Sequence, residues 1–364
     1  MNKLSGEYTI CPVVRHPENP LLAPSDVPYD CSLLFNAGVC KYRGAYTMVF
    51  RNDYGPDRVD FEGGERFAGT NLGLATSDDG VSWSIKDRPC ITIEQARDLI
   101  APLIPHHDPQ HEIGRFYDPR LTVLEDRIYM CFAIDTAHGL RGGVAVTDDF
   151  ENWEVLSASV PDNRNMVLFP QKINGRFVRL ERPVNCFGGN HLHGSQAMMW
   201  LSYSPDLKHW GDSQPLLTSA EVDWANDKLG PAAPPVLTDQ GWLATFHAVW
   251  REDPGIKNGW EPVWPKRYAA GIMLLDRDDP SKVLGRCPCP LLTPEAWYET
   301  GRDLPPDIDP GFGFRRDVIF PGGMILEPDG EVKIYYGAAD TVECLATASV
   351  DQLVDACLHD EQSV

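Results

Sequence analysis

The sequence predicts an all-β protein, a five-bladed β-propeller with short helical decorations that occupies residues 1–364 as a single domain. Three observations carry this expectation. A strand–turn unit recurs five times along the chain. The 31 Gly, 31 Pro and 10 Trp suit many short strands joined by tight turns. Amphipathic helical periodicity is nearly absent, reaching helical spacing only at Glu94–Ile104 and Val350–Leu358.

Taken in order, the first half of the unit is a polar turn with Gly or Asp followed by an alternating apolar strand. It occurs at Tyr42–Phe50, Glu125–Phe132, Asn174–Leu180, Asp239–Phe246 and Asp329–Tyr336. The second half is a strand of small residues that enters an acidic turn, closed by Trp at Leu72–Trp83, Gly143–Trp153 and Trp200–Trp210, with looser copies at Ala270–Asp279 and Leu345–Asp351. Five such pairs, each with further strands, make five four-stranded blades around an axis. A β-sandwich or barrel is the competing architecture, because the repeat spacing is uneven. Asn52–Phe67 and Asp303–Arg316, rich in Gly, Pro or charge, read as rim loops rather than core strands.

Composition narrows the function. Lys and Arg number 32 against 53 Asp and Glu, a net charge of −21, so nucleic acid and anionic membrane surfaces would be repelled. No stretch has the length of a membrane span, and Met1–Glu7 lacks the apolar core of a secretory signal, so a cytoplasmic location is expected. Ten cysteines, scattered singly apart from Cys287 and Cys289, read as reduced thiols. No phosphate-binding P-loop, dinucleotide fingerprint or His-Glu-x-x-His stretch is present, and no cofactor is expected. His106, His107 and His111 resemble a metal tract, but the local sequence offers no carboxylate–histidine strand context, and no metal site is assigned.

Polar residues cluster where strands begin or end. Asp118, in Phe116–Thr122, is placed at a strand entrance; it reads either as a functional carboxylate or as a turn partner of Arg120. Arg164 and Asn165 run into an apolar strand start, and Arg179, Glu181 and Arg182 end the next strand. Lys228 lies in a Gly/Pro-rich approach to the strand carrying His247, and Tyr268 opens the strand after that. Basic groups at several strand ends could converge on an anion, or could pair with surface carboxylates. His191 and His193 lie in a Gly-rich loop that suits either a ligand site or plain solvent exposure.

An ordered series of motifs, running from about residue 15 to 354, resembles glycoside hydrolase family 130, the inverting β-mannoside phosphorylases. The series includes Phe35–Val39, Val49–Arg51, Tyr117–Arg120, Asn163–Asn165, Val167–Pro170, Glu181–Pro183, Lys228–Pro231, Phe246–His247 and Tyr335–Thr341. The resemblance implies a five-bladed propeller that cleaves a β-mannoside with inorganic phosphate to α-mannose 1-phosphate. It implies Asp118 as general acid, with its proton relayed through a sugar hydroxyl. Arg164, Asn165, Arg182, Lys228, His247 and Tyr268 would hold phosphate, and Asn36, Arg51, Tyr117 and Asp340 would hold the mannosyl unit. The oligomeric state stays open, and the resemblance allows a homo-oligomer.

The chemistry of that assignment is coherent. Phosphate arrives as an anion and needs no base, so one carboxyl group and a cationic cradle suffice, whereas an inverting hydrolase needs two carboxyl groups. Two rivals stand beside it: a β-mannosidase on the same scaffold, and a non-catalytic glycan-binding propeller with a rim of Trp250, Trp260 and Trp264. Val184–His193 departs from the usual family sequence, as do Asn52–Phe67 and Pro321–Gly323, and these segments are expected to shape the acceptor side.

Overall fold

The computed structural model describes residues 13–61, 64–183, 198–252, 266–306 and 313–358. Within them the chain forms a five-bladed β-propeller. Each blade is an antiparallel sheet whose strands follow one another from the axis outward. After a short strand β1 (Val14–Arg15), blade one comprises β2 (Leu33–Tyr42), β3 (Ala45–Phe61), β4 (Gly64–Ser77) and β5 (Ser84–Ile85). Blade two comprises β6 (Ile113–Leu124), β7 (Arg127–Thr136), β8 (Gly139–Thr147) and β9 (Glu154–Ala158). Blade three comprises β10 (Asn163–Leu168), β11 (Phe177–Pro183), β12 (Met198–Ser204) and β13 (Gly211–Thr218).

Blade four begins with two short strands, β14 (Leu229–Pro231) and β15 (Val236–Leu237), that pair in turn with β16 (Trp242–Arg251), followed by β17 (Lys266–Leu275) and β18 (Val283–Arg286). Blade five comprises β19 (Ile319–Leu326), β20 (Glu331–Ala338) and β21 (Val342–Ser349). Its outer strand is β1, which pairs Val14 with Thr347 and so closes the ring with the start of the chain.

The repeated unit proves to be the middle two strands of every blade. Its acidic turn has a shared mechanism in the first three. Ser77, Thr147 and Ser204 cap the turn through their hydroxyls, while Asp79, Asp149 and Asp206 each accept backbone N–H groups two and three residues on. Those hydrogen bonds hold the three carboxyls well below the usual range. Trp153 and Trp210 donate their indole N–H to Phe150 and Leu207 and lock the turn from outside.

Apolar packing runs between blades. Leu72 and Val49 of blade one meet Phe116 and Leu121 of blade two, and each following pair of neighbours shares its own cluster around the ring. The first helix, Ile93–Ile100, buries Ala96 and Ile100 in the cluster between blades one and two, and Val350–Leu358 packs against blades four and five. Near the axis the inner strands approach too closely for side chains. A Cβ on Gly38 would lie 2.8 Å from the backbone of Leu121, and one on Gly322 would lie 1.9 Å from the carbonyl of Ala37.

One expectation is overturned. Asn52–Phe67 is not a rim loop but the end of a long hairpin, with Asn52 facing Asn71 and Phe61 facing Gly64. The ladder breaks between Tyr54 and Arg58, where Gly55 takes φ 103°, and then resumes. Within Asp303–Arg316, residues 307–312 lie outside the described part, as do His191, His193, Trp260, Trp264 and all of Val184–His193.

Candidate active site

The innermost strands carry a device absent from the repeat. Apart from an irregularity at the start of β6, between Ile113 and Arg115, the pairing of β2, β6 and β10 with the next strand breaks once each: between Phe35 and Gly38, Tyr117 and Arg120, and Arg164 and Val167. At each break a polar residue adopts the left-handed conformation: Asn36 (φ 53°), Asp118 (φ 53°) and Asn165 (φ 54°). Asn and Asp tolerate this region better than other non-Gly residues, and such bulges re-aim a side chain out of the sheet. Three blades thus turn a short polar side chain into one cavity of about 370 Å³. Asp118 is therefore not at a strand entrance, as its sequence suggested. It interrupts a strand that continues on both sides.

On one side of the cavity the charges are compensated. Asp118 Oδ1 accepts hydrogen bonds from Asn36 Nδ2 at 3.1 Å and Arg51 Nη1 at 3.2 Å. Arg51 also grips Asp53 with two bonds of 2.9 and 2.7 Å, and Arg115 reaches the same carboxylate at 2.7 Å. Burial pushes Asp53 up, but the two guanidinium groups outweigh it and hold the carboxyl well below the usual range. Tyr117 donates its hydroxyl to Asp135 at 2.7 Å. Asp340, in the turn after β20, has no such compensation. Burial pushes it up to about 6, against the pull of Arg51 and Arg315.

The opposite side gathers cations. Arg164 and Arg182 face each other across β10 and β11, and Gly230, two residues after Lys228, faces His247 across β14 and β16. None of Arg164, Arg182 and Lys228 has a carboxylate within ion-pair distance among the described residues. Arg182 Nη1 lies 3.2 Å from His247 Nε2, so the imidazole accepts there and is neutral. Burial, then Arg182 and Arg164, drive Lys228 well below its ordinary value. Burial and Arg164 bring Arg182 down to about 9, and burial with the surrounding cations lowers His247. Lys228 Nζ stands 5.3 Å from the centre of the Tyr268 ring. Arg164 Nε is buried without a hydrogen-bond partner. This arrangement is costly unless an anion enters it.

All the residues that the sequence assigned to the site line this one cavity: Asn36, Arg51, Tyr117, Asp118, Arg164, Asn165, Arg182, Lys228, His247, Tyr268 and Asp340. The pairing of Asp118 with Arg120 does not form. Arg120 is buried beneath the site and donates to the carbonyls of Ala232, Asn36 and Pro119, tying β2 and β6 to the residue that follows β14. Arg179 pairs with Glu181 at 2.7 Å on the face of β11 opposite Arg182, so only Arg182 of that group reaches the cavity. Lys266, which the sequence places beside Tyr268 at the opening of its strand, also lines the cavity, and sequence reasoning missed Asp53, Arg115, Asp135 and Arg315, which line it too. Arg115 and Tyr117 share the two-residue period of a strand face, a signal present in the sequence. Asp53 was hidden by reading its segment as a loop.

The sequence pattern of glycoside hydrolase family 130, described as β-1,4-mannooligosaccharide phosphorylase, matches residues 15–359. The chain belongs to family 130. It is 32% identical over 349 residues to a β-1,4-mannooligosaccharide phosphorylase of Ruminococcus albus, covering 94% of this chain and 89% of the relative. It is 27% identical to a β-1,2-mannobiose phosphorylase of Listeria innocua, covering 95% and 98%. A solved complex of β-1,2-mannobiose phosphorylase from Listeria innocua with β-1,2-mannobiose has the same fold. It superposes with a TM-score of 0.74 at 24% identity, over 95% of this chain and 99% of that one. The relatives of this family-130 chain thus differ in the linkage that they cleave.

Proposed function

We propose that this protein is an inverting β-mannoside phosphorylase, a hexosyl transferase in which phosphate attacks the anomeric carbon of a β-mannoside and releases α-mannose 1-phosphate. One observation carries the reading: buried Arg182 and half-buried Arg164 and Lys228 line the same cavity as Asp118, and none of the three has a carboxylate ion pair among the described residues. A hydrolase would have no use for that cluster, because water needs a base rather than a cationic cradle.

The steps follow from the two sides of the cavity. Phosphate binds between Arg164, Arg182 and Lys228, with Asn165, neutral His247 and Tyr268 completing the shell, and relieves the repulsion that the cations impose on one another. Asn36, Arg51, Tyr117 and Asp340 hold the mannosyl unit. Asp118, when protonated, supplies the proton that the departing oxygen requires, directly or through a sugar hydroxyl. Its Oδ2 accepts no hydrogen bond among the described residues, whereas Oδ1 is anchored by Asn36 and Arg51. A single displacement from the face opposite the leaving group converts the β-mannoside to the α-phosphate. The described cysteines are all free thiols, which supports a reducing, cytoplasmic setting.

The test is incubation with β-1,4-mannobiose, β-1,2-mannobiose and 4-O-β-mannosyl-glucose, with and without phosphate. The reading requires phosphate-dependent mannose 1-phosphate from at least one substrate, and the preferred one sets the linkage. Free mannose released equally without phosphate would replace it with a hydrolase. No turnover of any substrate would favour a glycan-binding propeller.

A further inference from the structure

The connection between blades one and two, set aside in the sequence as a histidine tract without a carboxylate, meets its carboxylate in the fold. His107 Nδ1 lies 3.2 Å from one oxygen of Glu112, and His138 Nε2 lies 3.1 Å from the other. The three ligand atoms fall within 4.8 Å of one another, and among the described residues no other group of at least three such side chains converges this way. By contrast, His111 and His209 form only local, exposed pairs with Asp108 and Asp206.

We infer that His107, Glu112 and His138 form a binding site for a divalent transition metal of the Zn²⁺ type. Two imidazole nitrogens and one carboxylate are a donor set suited to such an ion and poorly suited to Mg²⁺ or Ca²⁺, which take oxygen ligands. Bonds of about 2.0–2.1 Å in tetrahedral geometry place neighbouring ligand atoms roughly 3.4 Å apart; each histidine nitrogen stands near that distance from its own oxygen of Glu112, and small ring and carboxylate rotations bring one oxygen and both nitrogens around a shared centre. Glu112 is largely buried, with 17% of its side chain exposed, and provides a fixed anchor. The histidine rings, 53% and 66% exposed, can turn to present their lone pairs and leave a coordination position for water.

The site's place in the fold gives it a role. His107 and Glu112 belong to the segment that links blade one to blade two, whereas His138 stands in the turn between β7 and β8. Ile113, next to Glu112, pairs with Thr136 across β6 and β7. Asp135, which accepts the Tyr117 hydroxyl, and Leu140 both line the cavity on either side of that turn. A bound ion would cross-link the inter-blade connection to the hairpin and brace this part of the cavity wall.

The full chain, stripped with EDTA and desalted, should be titrated calorimetrically with ZnCl₂ and separately with MgCl₂, and its thermal midpoint followed. The expected result is one saturable equivalent of Zn²⁺, a higher midpoint, and no heat from Mg²⁺. His107→Ala and His138→Ala should each weaken binding by about tenfold or more, while His111→Ala leaves it unchanged. Absence of stoichiometric Zn²⁺ uptake would overturn the inference. So would equal uptake by the His107→Ala/His138→Ala double variant, which would assign the ion to cysteine thiols instead. Because no readout involves sugar or phosphate, the outcome is independent of the proposed activity.

Discussion

Around Asp118, Arg51 and Arg115 share the carboxylate of Asp53, whereas across the same cavity Arg164, Arg182 and Lys228 have no carboxylate ion pair among the described residues. The first side is largely self-compensated: Arg51 and Arg115 share Asp53, Asn36 and Arg51 anchor Asp118 Oδ1, and Asp118 Oδ2 accepts no hydrogen bond among the described residues. The second side is incomplete. Arg164 lowers the proton affinity of Arg182, both lower that of Lys228, and Arg164 Nε is left unpaired, so the geometry of this side makes sense with an anion in place. A site can thus hold one half rigid by self-compensation and keep the other poised by withholding it.

The comparison is broken most severely at Asp118. Asp118→Asn keeps the size of the side chain but cannot release a proton, and turnover should fall by roughly 100- to 10,000-fold while the circular dichroism spectrum is unchanged. Mannose 1-phosphate release at more than a tenth of the normal rate would place the acid elsewhere. Next in size is Asp53→Asn, on the compensated side. It leaves Arg51 and Arg115 buried without their shared carboxylate, and should destabilise the protein by about 3–5 kcal/mol in chemical denaturation.

Lys228→Met should do the reverse on the cationic side. The KM for phosphate should rise roughly 10- to 100-fold, in line with the loss of a charged hydrogen bond worth about 1.5–3 kcal/mol. Stability without phosphate should not fall, because the variant removes a buried, uncompensated charge. If Asp53→Asn and Lys228→Met destabilise the phosphate-free protein equally, the two sides do not differ as described.

How much of this was legible in the sequence follows the same division. The middle strands of the blades repeat, because each must offer an alternating face to its neighbours and end in a capped turn, so their pattern reveals the fold. The inner strands do not repeat in the same way. Asn36, Asp118 and Asn165 owe their common direction to bulges, and a register break leaves no periodic trace in one sequence. Local polarity at strand ends pointed to Asp118 and Asn165, ordered motif resemblance supplied Asn36 and the roles, and periodicity supplied none of them. Asp53 and Arg115 escaped because their importance lies in pairing across blades, and Glu112 with His138 escaped because their meeting depends on the hairpin that returns β7 toward the connection.

The smallest expected effect concerns Asp340, the carboxyl on the compensated side that lacks a partner's full compensation. Its folded value is raised to about 6 from an ordinary 3.8. Between these values the folded state binds more protons than the unfolded one, so stability falls as pH rises through this window. Below about 3.8 the group is protonated in both states and contributes nothing, while above about 6 the full cost of a buried carboxylate is present. Asp340→Asn removes that cost. The variant should unfold at nearly the same temperature as the parent below about pH 3.5 and at a higher one at pH 8, with the gap opening between them. A gap that is constant with pH would mean that Arg51 and Arg315 compensate Asp340 as fully as Arg51 and Arg115 compensate Asp53. The contrast within this side of the cavity would then disappear, leaving only the contrast across it.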